Sequence, residues 1–234
     1  LVFQQPLPKP RRAPLARLNW REFGLWFLWS FVSLLGTRRV VDVLKTVVPR
    51  YADTTFYFTT DSFPGVAGLV ALTIDDGICR HDESRSMIGE VLELLRNRSA
   101  QATFFLSTQY VHEGDLARLT AAGHEVGNHL PEDKDYSSYS AEDFEKALLE
   151  ANGVLAPHLS DRRWFRAPQG RLTRPMLGVL QAQNMSHALG DCYADDWAIP
   201  DPEAVSELYL GQVQAGSVVI MHMPERGFRE HTFK

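Results

Sequence analysis

The stretch LTIDDGICR, residues 72–80, brings an apolar run to an end at two adjacent aspartates, Asp75 and Asp76. Residues 69–74 before that end have the composition of a buried β-strand. Gly77 then provides a turn. Adjacent carboxylates repel each other, and burial is costly for a carboxylate that has no partner. The stretch therefore predicts that positive charge lies close to both aspartates.

Strand-like and helix-like segments alternate from about residue 66 onward. The strand-like runs are 66–74, 102–107, 124–129, 164–168, 186–191 and 217–222, and the helix-like runs are 84–98, 113–122, 140–155, 173–184 and 202–214. This order predicts an α/β fold with a parallel sheet, and six strands suit either a (β/α) barrel or a doubly wound sheet. We therefore predict one domain over residues 66–234, preceded by a helical and irregular extension over residues 1–65.

The formal net charge of −5 is unevenly distributed along the chain. Residues 1–50 carry nine basic residues against two acidic ones, whereas the remainder carries 15 basic residues against 27 acidic ones. An acidic domain has the wrong charge for a phosphate backbone. We therefore expect no nucleic-acid partner.

The N-terminal extension begins with a basic, proline-rich segment, residues 1–20, in which we expect no regular structure. The uncharged run FGLWFLWSFVSLL, residues 23–35, is shorter than the roughly 20 residues of a spanning helix. It predicts a helix that packs on the domain, a membrane-surface helix or an uncleaved signal. Together with glycosylation triplets at Asn97 and Asn184, it favours an extracellular or membrane-associated protein.

The two cysteines are too few for a disulfide scaffold and lack the C-x-x-C spacing of a zinc site. Cys79 follows the first predicted strand and Cys192 follows the fifth. Both are therefore expected near one rim of the sheet, where they could pair.

Ionisable residues gather at the carboxyl ends of the predicted strands, where active sites of α/β folds lie. In strand order they are Asp75 and Asp76, His129 and Asp133, Arg166, Asp191, Asp195 and Asp196, and His222. Asp76, His129 and Asp133 offer one nitrogen and two carboxylates to a divalent ion, which leaves positions open for water and substrate. Such an ion would also relieve the repulsion between the adjacent aspartates. Asp75 then stays free to act as a general base, with His222 as the acid.

Five ordered motifs between residues 73 and 222 resemble those of the polysaccharide deacetylase family, the NodB-homology or carbohydrate esterase family 4 domain. They are TIDDG (73–77), HLPED (129–133), RAPQG (166–170), DDW (195–197) and VVIMH (218–222). The resemblance implies an incomplete or distorted (β/α) barrel. It also implies a metal-dependent hydrolase that removes N-acetyl groups from a chitin-like or peptidoglycan-like polysaccharide. The implied partner is an acetylated glycan, and the implied cofactor is one divalent ion, with zinc as the first candidate.

The resemblance assigns a role to each site residue. It implies three metal ligands: Asp76, His129 and Asp133. Asp75 would be the general base, held in place by Arg166, and His222 would be the acid, oriented by Asp196. The residues that would contact the substrate are Pro168, Gln169, Trp197 and Ile220. The backbone N–H of Gln169 would lie at the oxyanion.

The sequence departs from the family pattern at the third ligand. Asp133 stands where histidine is commonest, and an Asp-His-Asp set is harder and more anionic. Divalent ions other than zinc therefore remain open.

Two further departures concern the fourth motif and the end of the chain. Tyr193 stands where the fourth motif usually has an aspartate, which leaves three candidates for orienting His222: Asp191, Asp195 and Asp196. The chain stops at Lys234, before the last helix and strand that the family usually adds. Either the chain is a fragment, or the barrel is closed by the N-terminal extension.

Two other functions remain open at this point. One is a glycan-binding relative that keeps the fold without turnover. The other is a hydrolase of a small amide, whose site would be closed over instead of forming an open groove. A dinucleotide-binding fold is set aside, because no G-x-G-x-x-G follows a predicted strand.

Overall fold

The computed structural model describes residues 19–233, and this range contains six strands and seven α-helices. The strands are β1 Ala71–Asp76, β2 Thr103–Leu106, β3 Glu125–Asn128, β4 Arg163–Phe165, β5 Met185–His187 and β6 Val218–His222. The helices are α1 Trp20–Leu35, α2 Thr37–Val47, α3 Ile88–Asn97, α4 Asp115–Ala121, α5 Ala141–Leu155, α6 Arg174–Ala182 and α7 Pro202–Gln212.

The strands form one parallel sheet in the order β5-β4-β3-β2-β1-β6. Because β6 pairs with β1, the last strand lies beside the first, and Asp75 is opposite His222 in the register. All six carboxyl ends therefore meet at one rim, as the α/β alternation predicts.

Irregular segments join the two edge strands, β5 and β6. The bridges that they form are Thr55 with Ala188, Tyr57 with Ser217, and Cys192 with Val219. Glycine permits this closure at position 190, where a Cβ atom would lie 2.5 Å from the carbonyl oxygen of Val218. The predicted fold class, an incomplete or distorted (β/α) barrel, is confirmed.

The predicted elements are present, and they differ mainly at their ends. β1 begins only at Ala71, because Pro64–Val66 forms a 3₁₀ turn. β5 is limited to Met185–His187, whereas the sequence predicted a strand over 186–191. The N–H of Ala188 still donates to the carbonyl oxygen of Phe165 in β4, and residues 188–192 bridge to the N-terminal segment and β6. This edge pairing has no signature in hydrophobic periodicity.

Two apolar clusters fix the sheet against its helices. On β1–β3, α3 and α4, the first cluster includes Ile74, Val91, Phe104, Leu119 and Val126. On β4, β5, α5 and α6, the second includes Phe144, Leu148, Phe165, Met176 and Met185. These buried residues stiffen the strands below the rim, so that loops at the rim are free to carry function.

The apolar run 23–35 forms most of α1, which begins at Trp20 after a capping box between Asn19 and Glu22. Leu25, Trp26 and Trp29 pack against buried residues of α7 and the loop before it. The prediction of a helix that packs on the domain is thus confirmed for one face. No helix within residues 19–233 is both long and apolar enough to cross a membrane. The expectation for residues 1–18 lies outside the described residues.

The prediction that Cys79 and Cys192 could pair is wrong, because both are buried and free. Cys79 Sγ lies 3.4 Å from Glu225 Oε2, whereas Cys192 Sγ faces the carbonyl oxygen of Tyr209 in α7 at 3.6 Å. Burial raises the pKa of both thiols, which disfavours the reactive thiolate form. Two residues that each follow a strand end at the same rim can therefore still have side chains that point to different partners.

Candidate active site

A pocket of about 670 Å³ opens at the carboxyl ends of the strands. The predicted residues that line it include Asp75, Asp76, His129, Asp133, Arg166 and His222. Seven non-glycine residues within 19–233 have positive φ, and four of them line this pocket: Asp76, Gln169, Asp195 and Arg229. Such backbone strain persists only where the surrounding structure enforces it. Its concentration here is typical of a functional site.

Asp75 is held by a buried arginine. Arg166 Nη1 donates to Asp75 Oδ1 at 2.5 Å, and the other donations of the guanidinium go to Thr73 Oγ1 and to the carbonyl oxygens of Ala188 and Leu189. These contacts fix the guanidinium and with it the carboxylate. Paired residues of neighbouring strands present their side chains on the same face, so Asp75 and His222 both enter the pocket.

The backbone of Asp76 separates its side chain from that of Asp75. Its φ is 82°, a left-handed conformation that aspartate tolerates better than most residues. Gly77 follows where a Cβ atom would lie only 2.1 Å from Tyr110 Cβ, so the turn requires glycine. The two aspartates therefore reach different partners, Asp75 reaching Arg166 and Asp76 facing His129.

Ligand atoms of Asp76, His129 and Asp133 lie within 4.8 Å of one another. His129 Nδ1 is 2.8 Å from the carbonyl oxygen of Arg166, which can only accept, so Nδ1 carries the proton. The other ring nitrogen, Nε2, points toward Asp76 at 3.8 Å from Oδ1, and it is the atom that the ring offers to a metal. This orientation by an outer hydrogen bond is the usual arrangement of a metal-binding histidine. The donor set fits one divalent cation.

Two arginines that the sequence analysis missed contact the same carboxylates. Arg80 Nη2 lies 2.7 Å from Oδ2 of both Asp76 and Asp133, and Arg229 Nη1 contacts Asp76 Oδ2 as well. All three contacts are to Oδ2 atoms, whereas Oδ1 of Asp76 faces His129. Burial raises the pKa of Asp76, but the cations around it outweigh burial and hold that pKa well below its usual range.

Asp196 orients the imidazole of His222. Its Oδ1 lies 2.6 Å from His222 Nδ1, and its Oδ2 accepts the backbone N–H of His222 at 2.9 Å. Thr232 donates to the same Oδ2 at 3.2 Å. Nδ1 therefore carries a proton, which leaves Nε2 as the second titrating nitrogen of the ring.

The other two candidate aspartates have partners other than His222. Asp191 pairs with Arg38 of α2 at 2.8 Å. Asp195 accepts from the indole N–H groups of Trp29 and Trp197, at 2.6 and 3.0 Å. The contact of Asp195 with Trp29 of α1 fixes the N-terminal extension to the rim of the pocket, a link that no sequence motif predicts.

Three of the four predicted substrate contacts line the pocket: Gln169, Trp197 and Ile220. Pro168 differs from the prediction, since it is buried and is not among the lining residues. Its fixed φ instead begins the 3₁₀ turn that presents Gln169 at a φ of 55°. Within the described residues, the backbone N–H of Gln169 has no hydrogen-bond partner, so it is available to a ligand.

Comparison with known proteins agrees with this geometry. A family model described as polysaccharide deacetylase matches residues 64–188, just over half of the chain. A chitooligosaccharide deacetylase of Sinorhizobium fredii is 30% identical over 158 residues, 65% of this chain and 71% of that protein. A peptidoglycan-N-acetylglucosamine deacetylase of Bacillus cereus is 25% identical over 169 residues, 70% of this chain and 77% of that protein.

A solved structure extends the similarity to the fold. It is a mutant of a CE4 family pseudoenzyme with restored enzymatic activity, with a TM-score of 0.60 and 25% identity. The match covers 70% of this chain, which spans 58% of the length of that structure. Through the family match and the Sinorhizobium relative, the sequence and the barrel lead to one conclusion: this chain belongs to the polysaccharide deacetylase family.

Proposed function

We propose that this chain is a metal-dependent hydrolase that removes N-acetyl groups from an N-acetylglucosamine-containing polysaccharide, either chitin-like or peptidoglycan-like. The observation that supports this most is the register of β1 and β6, which sets Asp75 opposite His222 beside the Asp76, His129 and Asp133 cluster. An acid and a base on one side of a cation site are the groups that amide hydrolysis needs.

Asp76, His129 and Asp133 would hold the ion. When bound there, a divalent cation supplies polarisation of the acetamide carbonyl and acidification of water. Zinc is our first candidate, while the two carboxylates also suit harder divalent ions. The charge of the bound ion would add to that of Arg80 and Arg229 in neutralising the carboxylates of the rim.

The chain's own residues would then move the protons. Asp75 accepts a proton from the attacking water, while Arg166 fixes its orientation. The N–H of Gln169 donates to the oxygen that gains negative charge. His222 gives the Nε2 proton to the departing amine, which would otherwise be a poor leaving group. Trp197 and Ile220 line the place for the acetyl group.

Acetate release tests this proposal. Chitin oligosaccharides, peptidoglycan and acetylated xylan are incubated with protein that is loaded with Zn²⁺, stripped by a chelator or reloaded. We expect release that disappears on stripping and returns on reloading, with metal content measured on the same samples. Full activity of verified metal-free protein would remove the metal from the mechanism.

A non-catalytic glycan-binding relative is the second candidate. It is favoured by Arg80 and Arg229, which place fixed positive charge on the carboxylate of a proposed ligand, Asp76. This candidate predicts that metal-loaded protein binds chitin oligosaccharides in calorimetry but releases no acetate. The same panel therefore separates the two functions.

The pKa of His222 gives a pH prediction. Burial lowers this pKa, but the carboxylates of Asp196, Asp76 and Asp75 together raise it to about 9. The protonated acid is present below its pKa and lost above it, so turnover should fall as pH rises, at a pH below about 9 in the loaded enzyme because the ion cancels the raising charge of Asp76. Asp196→Asn removes the strongest raising charge and should move this alkaline limb to lower pH. A kcat/KM profile with the same alkaline limb in both proteins would show that His222 is not the acid.

A further inference from the structure

One face of α1 is apolar and faces solvent. Trp20 is 90% exposed, Phe27 58%, Phe31 49% and Leu34 82%. These residues recur at i, i+7, i+11 and i+14, which is one stripe along a helix of 3.6 residues per turn. Leu28 and Leu35 are exposed beside the stripe. The only charged residues of α1, Arg21 and Glu22, are in its first turn, so the stripe, which we name the outer face of α1, carries no charge.

The outer face is not a consequence of a loose helix. The opposite side of α1 carries Leu25, Trp26 and Trp29, which pack against α7 and the loop before it. Trp29 Nε1 donates to Asp195 at 2.6 Å, and Ser33 Oγ donates to the carbonyl oxygen of Gly211 at 2.8 Å. These bonds fix the rotation of the helix about its own axis. The outer face therefore points to solvent. A contiguous apolar surface of this kind marks an interaction site.

The distribution of charge along the chain favours an anionic lipid surface over a second copy as the partner of this face. Residues 1–50 carry a net charge of +7 and residues 51–234 a net charge of −12. An anionic lipid surface would attract the first segment and repel the rest, which orients the protein on the surface. A second copy docked through the same face would instead bring two basic segments together. The Trp and Phe side chains of the outer face also suit the headgroup boundary of a bilayer.

We propose that the outer face of α1 seats this protein on an anionic membrane surface, with the helix in the plane of the headgroups. The helix has 16 residues, and within the described chain no helix is suited to crossing a bilayer. The next helix, α2, also has exposed apolar side chains, at Val40, Val43 and Val47. Trp29, on the inner side of α1, lines the pocket. The helix that carries the outer face therefore borders the pocket.

Vesicle flotation with the full chain tests whether the outer face of α1 binds an anionic membrane. The probes are vesicles of phosphatidylcholine alone and vesicles of phosphatidylcholine with phosphatidylglycerol. We expect the protein to float with the anionic vesicles and to do so less as salt is raised. The double variant Phe27→Glu with Phe31→Glu should reduce the vesicle partition coefficient about tenfold or more, since it places two charges in the apolar boundary.

The matched control is Leu149→Glu with Val154→Glu on α5, where both side chains are 46% exposed. This control should float like the wild type, and both double variants should keep the wild-type unfolding temperature because all four positions are exposed. Equal loss of flotation in both variants overturns the proposal, as does failure of the wild type to float. Dimers in light scattering that the α1 variant alone dissociates, without flotation, would assign the face to a second copy. Acetate release is measured separately, so its failure leaves this test unaffected.

Discussion

Asp75→Asn is expected to lower turnover roughly 10²–10⁴-fold, the usual contribution of a general base, while the metal content stays unchanged. Asparagine has nearly the same shape as aspartate and still accepts the hydrogen bond from Arg166 Nη1. It cannot take a proton from water. Asp75 supplies no ligand atom to the cluster of Asp76, His129 and Asp133, so the ion should stay bound. Single-turnover acetate release and metal analysis on one preparation measure both quantities.

Stability has to be measured together with turnover, because Asp75 is the counter-charge of a buried guanidinium. Breaking such a pair costs about 3–5 kcal/mol of the free energy of unfolding. Asp115→Asn is the control outside the pocket, since Asp115 is also 5% exposed; its partner Arg118 lies 3.6 Å away and is 52% exposed, so the control should lose less stability than Asp75→Asn. The control should lose stability and keep turnover. If Asp75→Asn loses turnover only in proportion to the unfolded fraction, Asp75 is a structural ion-pair partner and not the base.

The convergence of the site was predictable from the sequence because it follows from sheet geometry. A parallel strand ends where its apolar run ends, and all the carboxyl ends lie at one rim. Asp75, Asp76, His129 and His222 each lie at or next to such an end, and the pocket contains all four. The hydrophobic pattern of the strands alone is therefore enough to predict that these residues converge, whatever the conformation of the loops.

The residues that reach the site from loops were not predictable in the same way. Arg229 comes from the segment after β6 and has a φ of 58°, a conformation that no periodic pattern signals. Arg80 had a weak signal, a basic residue four positions after Asp76 in the same turn. Trp29 reaches Asp195 from 166 residues away in the chain. Contacts of this range depend on how the whole barrel packs, which a single sequence does not encode locally.

Asp76→Asn is expected to lose both the ion and the turnover. Loss of a direct ligand should weaken metal affinity by at least the roughly 10–100-fold that loss of an outer partner costs. The substitution suits this backbone, since asparagine is one of the few residues that readily adopts the left-handed conformation seen here, with φ at 82°. A change in metal binding therefore reports on the carboxylate and not on the turn. Calorimetric titration of Zn²⁺ into stripped protein gives the affinity.

The pair of variants distinguishes two readings of the adjacent aspartates. If they divide the work, Asp75→Asn keeps the ion and Asp76→Asn loses it. If Asp76 serves only as the counter-charge of Arg80 and Arg229, Asp76→Asn lowers stability and leaves the metal affinity unchanged. Arg229→Gln separates these effects further, because it removes one of the two ion pairs of Asp76 and keeps the proposed ligand. A metal content that falls equally in Asp75→Asn and Asp76→Asn, or in neither, would refute the division, since the turn at Asp76 sends the two carboxylates to different partners.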